Sequence, residues 1–265
     1  MAAIIRDHVA VDPPRTRTKW SIMKICLNSF GQSIGFPVPN WKGAARPPRT
    51  PIIGRYCRVE PLDVKKHAKQ LFTANSDDTN GQNWTYLSVS PPKDFHEYLN
   101  WLNSVAALDD PVFYTIVDTK SDFAVGLASL MRIDVASGVI EVGHINFSPR
   151  LKQTCAATES MYLMMKRVFD DLGYRRYEWK CDSLNAPSRT AAERYGFRFE
   201  GVFRQAIVYK GRNRDTAWYS VIDKEWPALK SAFERWLSGD NFDPQGRQRN
   251  RLSTLTKQAN ILCSS

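Results

Sequence analysis

The sequence predicts an α+β domain built on a mixed, mostly antiparallel sheet with one parallel strand pair flanked by helices. Three observations predict it. Val139–Phe147 is rich in β-branched residues, and Ala157, Met161, Met164, Val168 and Leu172 follow at spacings of four, three, four and four. That spacing makes one apolar helical stripe, and Tyr177–Cys181 reads as a strand beyond it. A connection of this length suits a right-handed crossover, so the two strands run parallel. The strands on either side are joined by short links, which make antiparallel neighbours. Phe197–Tyr209 and Thr216–Asp223 close the sheet as a hairpin around the turn Lys210–Asp215.

The remaining elements follow in chain order. Residues 1–20 are polar, contain Pro13 and Pro14, and read as a loose leader. Residues 28–53 hold Pro37, Pro39, Pro47, Pro48 and Pro51, which rules out a continuous helix. Residues 1–54 are therefore expected to form a Pro-rich arm, with Phe36 and Trp41 as anchors. The compact domain is expected over residues 55–240. It opens with the strand Tyr56–Leu62, followed by helical spacing at Val64, Ala68, Leu71 and Phe72 and again at Phe95, Tyr98, Leu99 and Leu102. Pro111–Val117 and Ala124–Ile133 read as strands. Gly173 is expected to end the central helix as a C-cap. Ser188–Tyr195 is a short helix stopped by Gly196, and Trp226, Leu229, Phe233 and Leu237 mark a last helix. Residues 241–265 are polar and basic and read as a tail.

Composition narrows the function. Apolar residues make up 43% and aromatics 12% of the 265 residues, enough for a sizeable core and too many for a disordered chain. No apolar run is long enough to span a membrane, so no membrane partner is expected. A secretory signal is not expected either, since Asp7 and Asp12 stand where an apolar segment should be. The five cysteines are odd in number and widely spaced, without a CxxC. That argues against a disulfide framework or a zinc site and for a reducing, cytoplasmic setting. No metal is expected. The net charge of +10 suggests an anionic partner. No nucleic-acid motif accompanies the scattered basic residues, so a phosphate-rich cofactor is preferred to nucleic acid.

The segment from Phe147 to Glu159 joins the central strand to the central helix. The first turn of a helix leaves backbone N–H groups without partners and carries a partial positive charge. Thr154, Cys155, Ala156 and Ala157 are small enough to let a ligand reach that backbone, and Lys152 adds a full charge. These features make a pyrophosphate cradle; an ordinary strand-to-helix loop has the same outline. The candidate cofactor-binding residues here are Phe147, Lys152, Gln153, Thr154, Cys155, Ala156, Ala157 and Thr158.

From about Arg55 to Trp236 the chain resembles the GCN5-related N-acetyltransferase (GNAT) superfamily, in the branch containing the ribosomal-protein N-terminal acetyltransferases. The family loop reads Gln or Arg, two residues, Gly, one residue, then Gly or Ala, before a helix. Lys152, Cys155 and Ala157 stand at those positions, and Ala157-Thr158-Glu159 matches the branch. A second match runs from Asn185-Ala186-Pro187-Ser188 to Gly196-Phe197, where the family has Asn, two residues, Ser, and a helix ending in Gly-Phe. The resemblance implies a GNAT-like fold with a splayed parallel pair and acetyl-CoA as co-substrate. It implies that Asn185 holds the pantetheine arm and that Ser188 lies near the thiol. Capping of the short helix is the alternative role for both.

Acetyl transfer needs a neutral amine, a donor for the oxyanion and a proton for the leaving thiolate. Backbone N–H groups between Asn146 and Ser148 are the expected oxyanion donors. Glu141, among apolar neighbours, is the candidate base, with an ion-paired structural carboxylate as the alternative. Simple alternation places His144 on the opposite face of that strand. Many family members carry a tyrosine acid four residues before the Gly of Gly-Phe; that position is Ala192, so Ser188 becomes the expected thiolate donor. Arg204-Gln205-Ala206 is followed by Ile207 where some ribosomal-protein relatives have a glutamate. Trp84 and Tyr86 are candidates to line the acceptor pocket, and Asp215 to meet a cationic amine. The expected function is direct acetylation of a primary amine of a small molecule or a protein N-terminus, by a monomer or homodimer. A catalytically inactive CoA-binding sensor or scaffold is the alternative.

Overall fold

The computed structural model describes residues 26–263; the leader expected over residues 1–20 lies outside them. The described residues divide into two units, residues 26–41 and Lys42–Cys263. In the first, the described part is a two-stranded antiparallel ribbon, β1 (Cys26–Leu27) and β2 (Ser33–Ile34). The second unit carries an eight-stranded sheet. Its strands are β3 (Ile52–Ile53), β4 (Cys57–Pro61), β5 (Val112–Asp118), β6 (Phe123–Asp134), β7 (Val139–Phe147), β8 (Arg176–Asp182), β9 (Arg198–Tyr209) and β10 (Arg212–Ile222). They lie in the order β3-β4-β5-β6-β7-β8-β10-β9. Every neighbouring pair is antiparallel except β7 and β8.

The helices are α1 (Val64–Asn75), α2 (Phe95–Ala106), α3 (Cys155–Lys166), α4 (Ala186–Arg194), α5 (Trp226–Leu237) and α6 (Leu252–Leu262). Asp63 and Asp94 cap α1 and α2 by accepting from Lys66 N and Glu97 N. The central helix is α-helical only to Lys166. Arg167–Asp171 continues it as a π turn, and Gly173, at φ +72°, ends it. The closing hairpin turns at Lys210-Gly211 alone, not over Lys210–Asp215. Both residues have positive φ, +49° and +68°, which matches the right-handed twist of the flanking strands.

The sheet faces hold separate cores. On one face, Ile140, Val142, Tyr177, Trp179 and Tyr219 pack against Met161 and Met164 of α3 and Phe233 of α5. On the other, Phe113, Val117 and Leu127 pack against Leu71 of α1, Tyr98 and Leu102 of α2, and Trp84. Glu159 ties α3 to the start of β4. Its buried carboxylate accepts from the backbone N of Arg55, Tyr56 and Cys57 at 2.8, 2.6 and 2.8 Å. A Cβ at Gly54 would run into that carboxylate and Leu163, so glycine is required there.

Both ends of the domain extend past the limits read from sequence. The arm from Lys42 onward belongs to the compact unit: Ala44 N donates to Val135 O, Ala45 N to Leu172 O, and Tyr114 Oη to Pro48 O. The segment read as a tail contains α6, which buries Leu252, Leu255, Thr256 and Ala259. Thr256 Oγ1 donates to Arg194 O, and Asn260 Nδ2 to Gly196 O, so α6 secures the end of α4.

Candidate active site

The parallel pair is short. Val139, Ile140, Glu141 and Val142 face Arg176, Tyr177, Glu178 and Trp179, and the pairing stops there. Beyond Val142, β7 stays with β6 as far as Phe147 opposite Gly126, while β8 stays with β10 as far as Asp182 opposite Thr216. The two strands therefore separate, and α3 begins a few residues after β7 ends.

The loop Ser148–Thr154 is wound tightly. Leu151 N and Lys152 N both donate to Ser148 O, and Thr154 N to Leu151 O. Gln153 takes φ +61° to turn the chain into the helix. Thr154 is the N-cap, its Oγ1 accepting from Ala157 N at 3.1 Å. The amides of Cys155 and Ala156 have no hydrogen-bond partner among the described residues. Two unpartnered N–H groups on a helix start lined by Cys155, Ala156 and Ala157 fit the pyrophosphate of acetyl-CoA. Lys152 is turned aside: its Nζ donates to Oδ1 of Asn83. Thr158 is buried and accepts from Arg194 Nη2 at 3.1 Å, so its hydroxyl joins α3 to α4 and does not serve the cradle. Ser148 N donates to Val125 O, which removes it from the oxyanion donors expected between Asn146 and Ser148.

Asn185 and Ser188 meet at the start of α4. Asn185 Oδ1 accepts from Ser188 N at 3.1 Å, the capping role, which leaves Nδ2 of the same amide for a ligand. Ser188 Oγ accepts from Trp179 Nε1 at 3.0 Å. Trp179 is the last β8 residue paired with β7, so this bond holds the Ser188 hydroxyl where the strands part.

Glu141 is 4% exposed and sits in a charge network. Lys180 Nζ and Arg132 Nε lie 2.9 and 3.0 Å from its Oε2, and Lys180 Nζ also lies 2.7 Å from Glu178 Oε2. Lys180 stands 3.7 Å above the Trp218 ring, whose other neighbour is Phe203 at 4.3 Å. Burial pushes the Glu141 carboxyl above the usual carboxylate range, against the opposite pull of Lys180 and Arg132. His144 is not on the opposite face. Asn146 faces Leu127 while Gly143 faces Ser129, so β7 carries one residue more than β6 between these rungs. This bulge, with His144 at φ +49°, turns the imidazole onto the Glu141 side.

The acceptor-side candidates divide. Trp84 is buried against Tyr98 and Trp101, a packing role, and its carbonyl accepts from Lys210 Nζ at 2.6 Å. Tyr86 is half-buried and donates from Oη to Leu184 O at 3.2 Å, next to Asn185. Arg212 Nη2 donates to Thr85 O at 3.3 Å, and Tyr209 Oη to Asp182 Oδ2 at 2.9 Å. The tip of the β9–β10 hairpin is thus strapped to Trp84 and Thr85 and to the end of β8. Asp215 is engaged elsewhere: Gln205 N and Asn213 Nδ2 donate to its Oδ1 at 2.7 and 3.0 Å, holding the β9–β10 bulge. Sequence reading missed Trp179, Lys180 and Lys210, because each acts on a residue brought near only by the sheet.

The model of the GNAT acetyltransferase domain family matches residues 58–198, more than half of the chain. The chain belongs to the GNAT family. It is an N-acetyltransferase of a family that uses acetyl-CoA. The GNAT domain aligns with a crystal structure of a GCN5-related N-acetyltransferase from Brucella melitensis at 50% identity and a TM-score of 0.81, covering 82% of this chain and 99% of that one. An uncharacterized N-acetyltransferase, p20 of Bacillus licheniformis, is 22% identical over 144 residues, 53% of this chain and 80% of that protein. YdaF of Bacillus subtilis (strain 168), whose name offers a ribosomal N-acetyltransferase as a proposal, is 26% identical over 105 residues, 40% of this chain and 57% of its own. Among the described residues no helix is long and apolar enough to cross a membrane.

Proposed function

We propose that this GNAT enzyme transfers the acetyl group of acetyl-CoA directly to a primary amine, of a small molecule or of a protein N-terminus, without an acyl-enzyme. The observation that carries the reading is the parting of β7 from β8 after Val142 and Trp179, next to a helix start with two unpartnered amides. The amides of Cys155 and Ala156 would hold the pyrophosphate, with Phe147, Gln153 and Thr154 shaping the loop beneath it. The Nδ2 of Asn185 would hold the pantetheine arm. The Ser188 hydroxyl accepts from Trp179, and its own proton, which reaches the Cys181 thiol, would turn to a departing thiolate. Cys155 has its thiol raised by burial, which favours a bystander over a nucleophile.

Glu141 supports a charge-balancing role more than that of a base. Its Oε2 lies between Lys180 and Arg132, whose charges stabilise it as an anion. Tyr86 would line the acceptor side, beside the strap from Lys210 and Arg212.

The test is calorimetric titration with acetyl-CoA, followed by thiol release across a panel of polyamines, amino acids and short peptides with free N-termini. Micromolar binding and turnover with one acceptor class are expected. Binding without turnover across the panel would favour a CoA-binding module, and no binding would refute the reading.

A further inference from the structure

We propose that His144 is the group that takes the proton from the acceptor amine, an assignment that rests on the acetyl-transfer reading above. The bulge in β7 turns His144 onto the face that carries Glu141, where its ring lies 5.0 Å from that of Phe113. Its Nδ1 lies 3.1 Å from Ser129 Oγ. Ser129 is fully buried, and its Oγ also donates to the carbonyl of Gly143 at 3.1 Å.

One tautomer satisfies both contacts at once. A hydroxyl has one proton, and a carbonyl can only accept. With the Ser129 proton directed to Gly143 O, Oγ accepts from the ring. In that arrangement Nδ1 carries the imidazole proton and Nε2 the lone pair. Nε2 has no hydrogen-bond partner among the described residues. Burial, and secondarily the charge of Arg132, hold the ring below the ordinary histidine pKa, so it is neutral at physiological pH. The charged groups on this face are Arg132 of β6, Glu141 of the same strand, Arg176, Glu178 and Lys180 of β8, and Glu200 of β9. They are paired with one another, whereas Phe113 of β5 brings no charge. Nε2 of His144 is thus an unengaged base beside the opening between β7 and β8.

The step balances. The neutral amine forms a C–N bond to the acetyl carbonyl carbon, and its surplus proton passes to Nε2. The C–S bond breaks and its electron pair leaves on sulfur. The Ser188 hydroxyl hydrogen-bonds the thiolate, which takes its proton from solvent, and the imidazolium returns its own proton to solvent. Amine and thioester become amide and thiol.

Nitrogen-15 spectra of the histidine rings, with His144 assigned by its loss in His144→Gln, test the tautomer without any acceptor. The proton is expected on Nδ1, with titration below the free value of about 6.5. A ring protonated on Nε2 instead, or one titrating above that value, would overturn the proposal. With any amine from the panel, His144→Gln should lower kcat by about 10²-fold or more and remove the acid limb of the rate profile. Acetyl-CoA affinity should be unchanged, which also shows that the variant is folded. An unaltered kcat and profile, with acetyl-CoA still bound, would refute the base and leave the acetyl-transfer reading in place. Failure of the wild-type protein to bind acetyl-CoA would instead refute that reading.

Discussion

The indole Nε1 of Trp179 donates to Oγ of Ser188 at 3.0 Å, which fixes the hydroxyl of a short helix to the strand at the point where the sheet opens. A serine that only caps its helix would not need this second tie, because the cap is supplied by Asn185.

Ser188→Ala should therefore lower kcat by about 10²-fold and leave the affinity for acetyl-CoA nearly unchanged, as for loss of one donor to a developing negative charge. Trp179→Phe keeps most of the packing and removes the tie. It should cause a smaller loss of kcat in the same direction. Steady-state thiol release for both variants checks this, and equal rates in all three proteins would remove Ser188 from the chemistry.

Cys155→Asp separates the cofactor cradle from the helix start. A carboxylate in the first turn interacts favourably with the helix dipole, so thermal stability should hold or rise slightly. The same charge sits beside the unpartnered amides of Cys155 and Ala156, where a pyrophosphate would bind. Acetyl-CoA affinity should drop by roughly 10-fold or more, on the order of 1.4 kcal/mol. Retained affinity in calorimetry would move the cofactor away from α3.

The core of the fold was legible in the sequence. The crossover from Val139–Phe147 to Tyr177–Cys181 follows from hydrophobic period alone, and the small residues at 154–157 stand at the start of α3, where the proposed cradle lies. The bulge was not legible. His144 is not a glycine, and nothing local announces its positive φ, so alternation put it on the wrong face. Trp84 has the same aromatic side chain whether it lines a pocket or a core, and only contact with Tyr98 and Trp101 decides. In α6, Leu252, Leu255 and Ala259 do have helical spacing, but the polar residues between them hid it.

Glu159→Ala should destabilise the fold by about 3 kcal/mol. Its carboxylate serves three backbone N–H groups of Arg55, Tyr56 and Cys57, and removing it strands those donors in a buried place. Denaturant unfolding checks the magnitude. Glu159→Gln keeps one acceptor oxygen and should recover part of the loss.

Acid stability should depend on Glu60. Burial alone would raise its carboxyl, but the bonds from Lys66 and Arg58 prevail and hold it down to about 2. The sign follows from linkage: a depressed carboxyl contributes stability that is fully present above its unfolded pKa. That contribution is lost as pH falls from about 4.5 toward about 2. Solvent screening at this partly exposed site limits it to roughly 1–2 kcal/mol. Glu60→Gln should flatten the acid limb of the stability curve over that window, and a variant with the wild-type slope would show that the pairing is inert.

Leu255→Ala tests whether the C-terminal helix belongs to the domain. Leu255 is 5% exposed and lies in the same core as Phe233 and Trp236 of α5. A free tail would tolerate the change, whereas a packed helix should lose about 2–4 kcal/mol through lost burial and the cavity left behind. The loss should also reach the site, because α6 holds the end of α4 through Thr256 and Asn260. Loosening that end frees the frame that presents Asn185 and Ser188. Weaker acetyl-CoA binding should accompany the fall in melting temperature, and restoring the volume with Leu255→Met should recover both. A destabilised variant with full acetyl-CoA affinity would show that α4 keeps its place without α6.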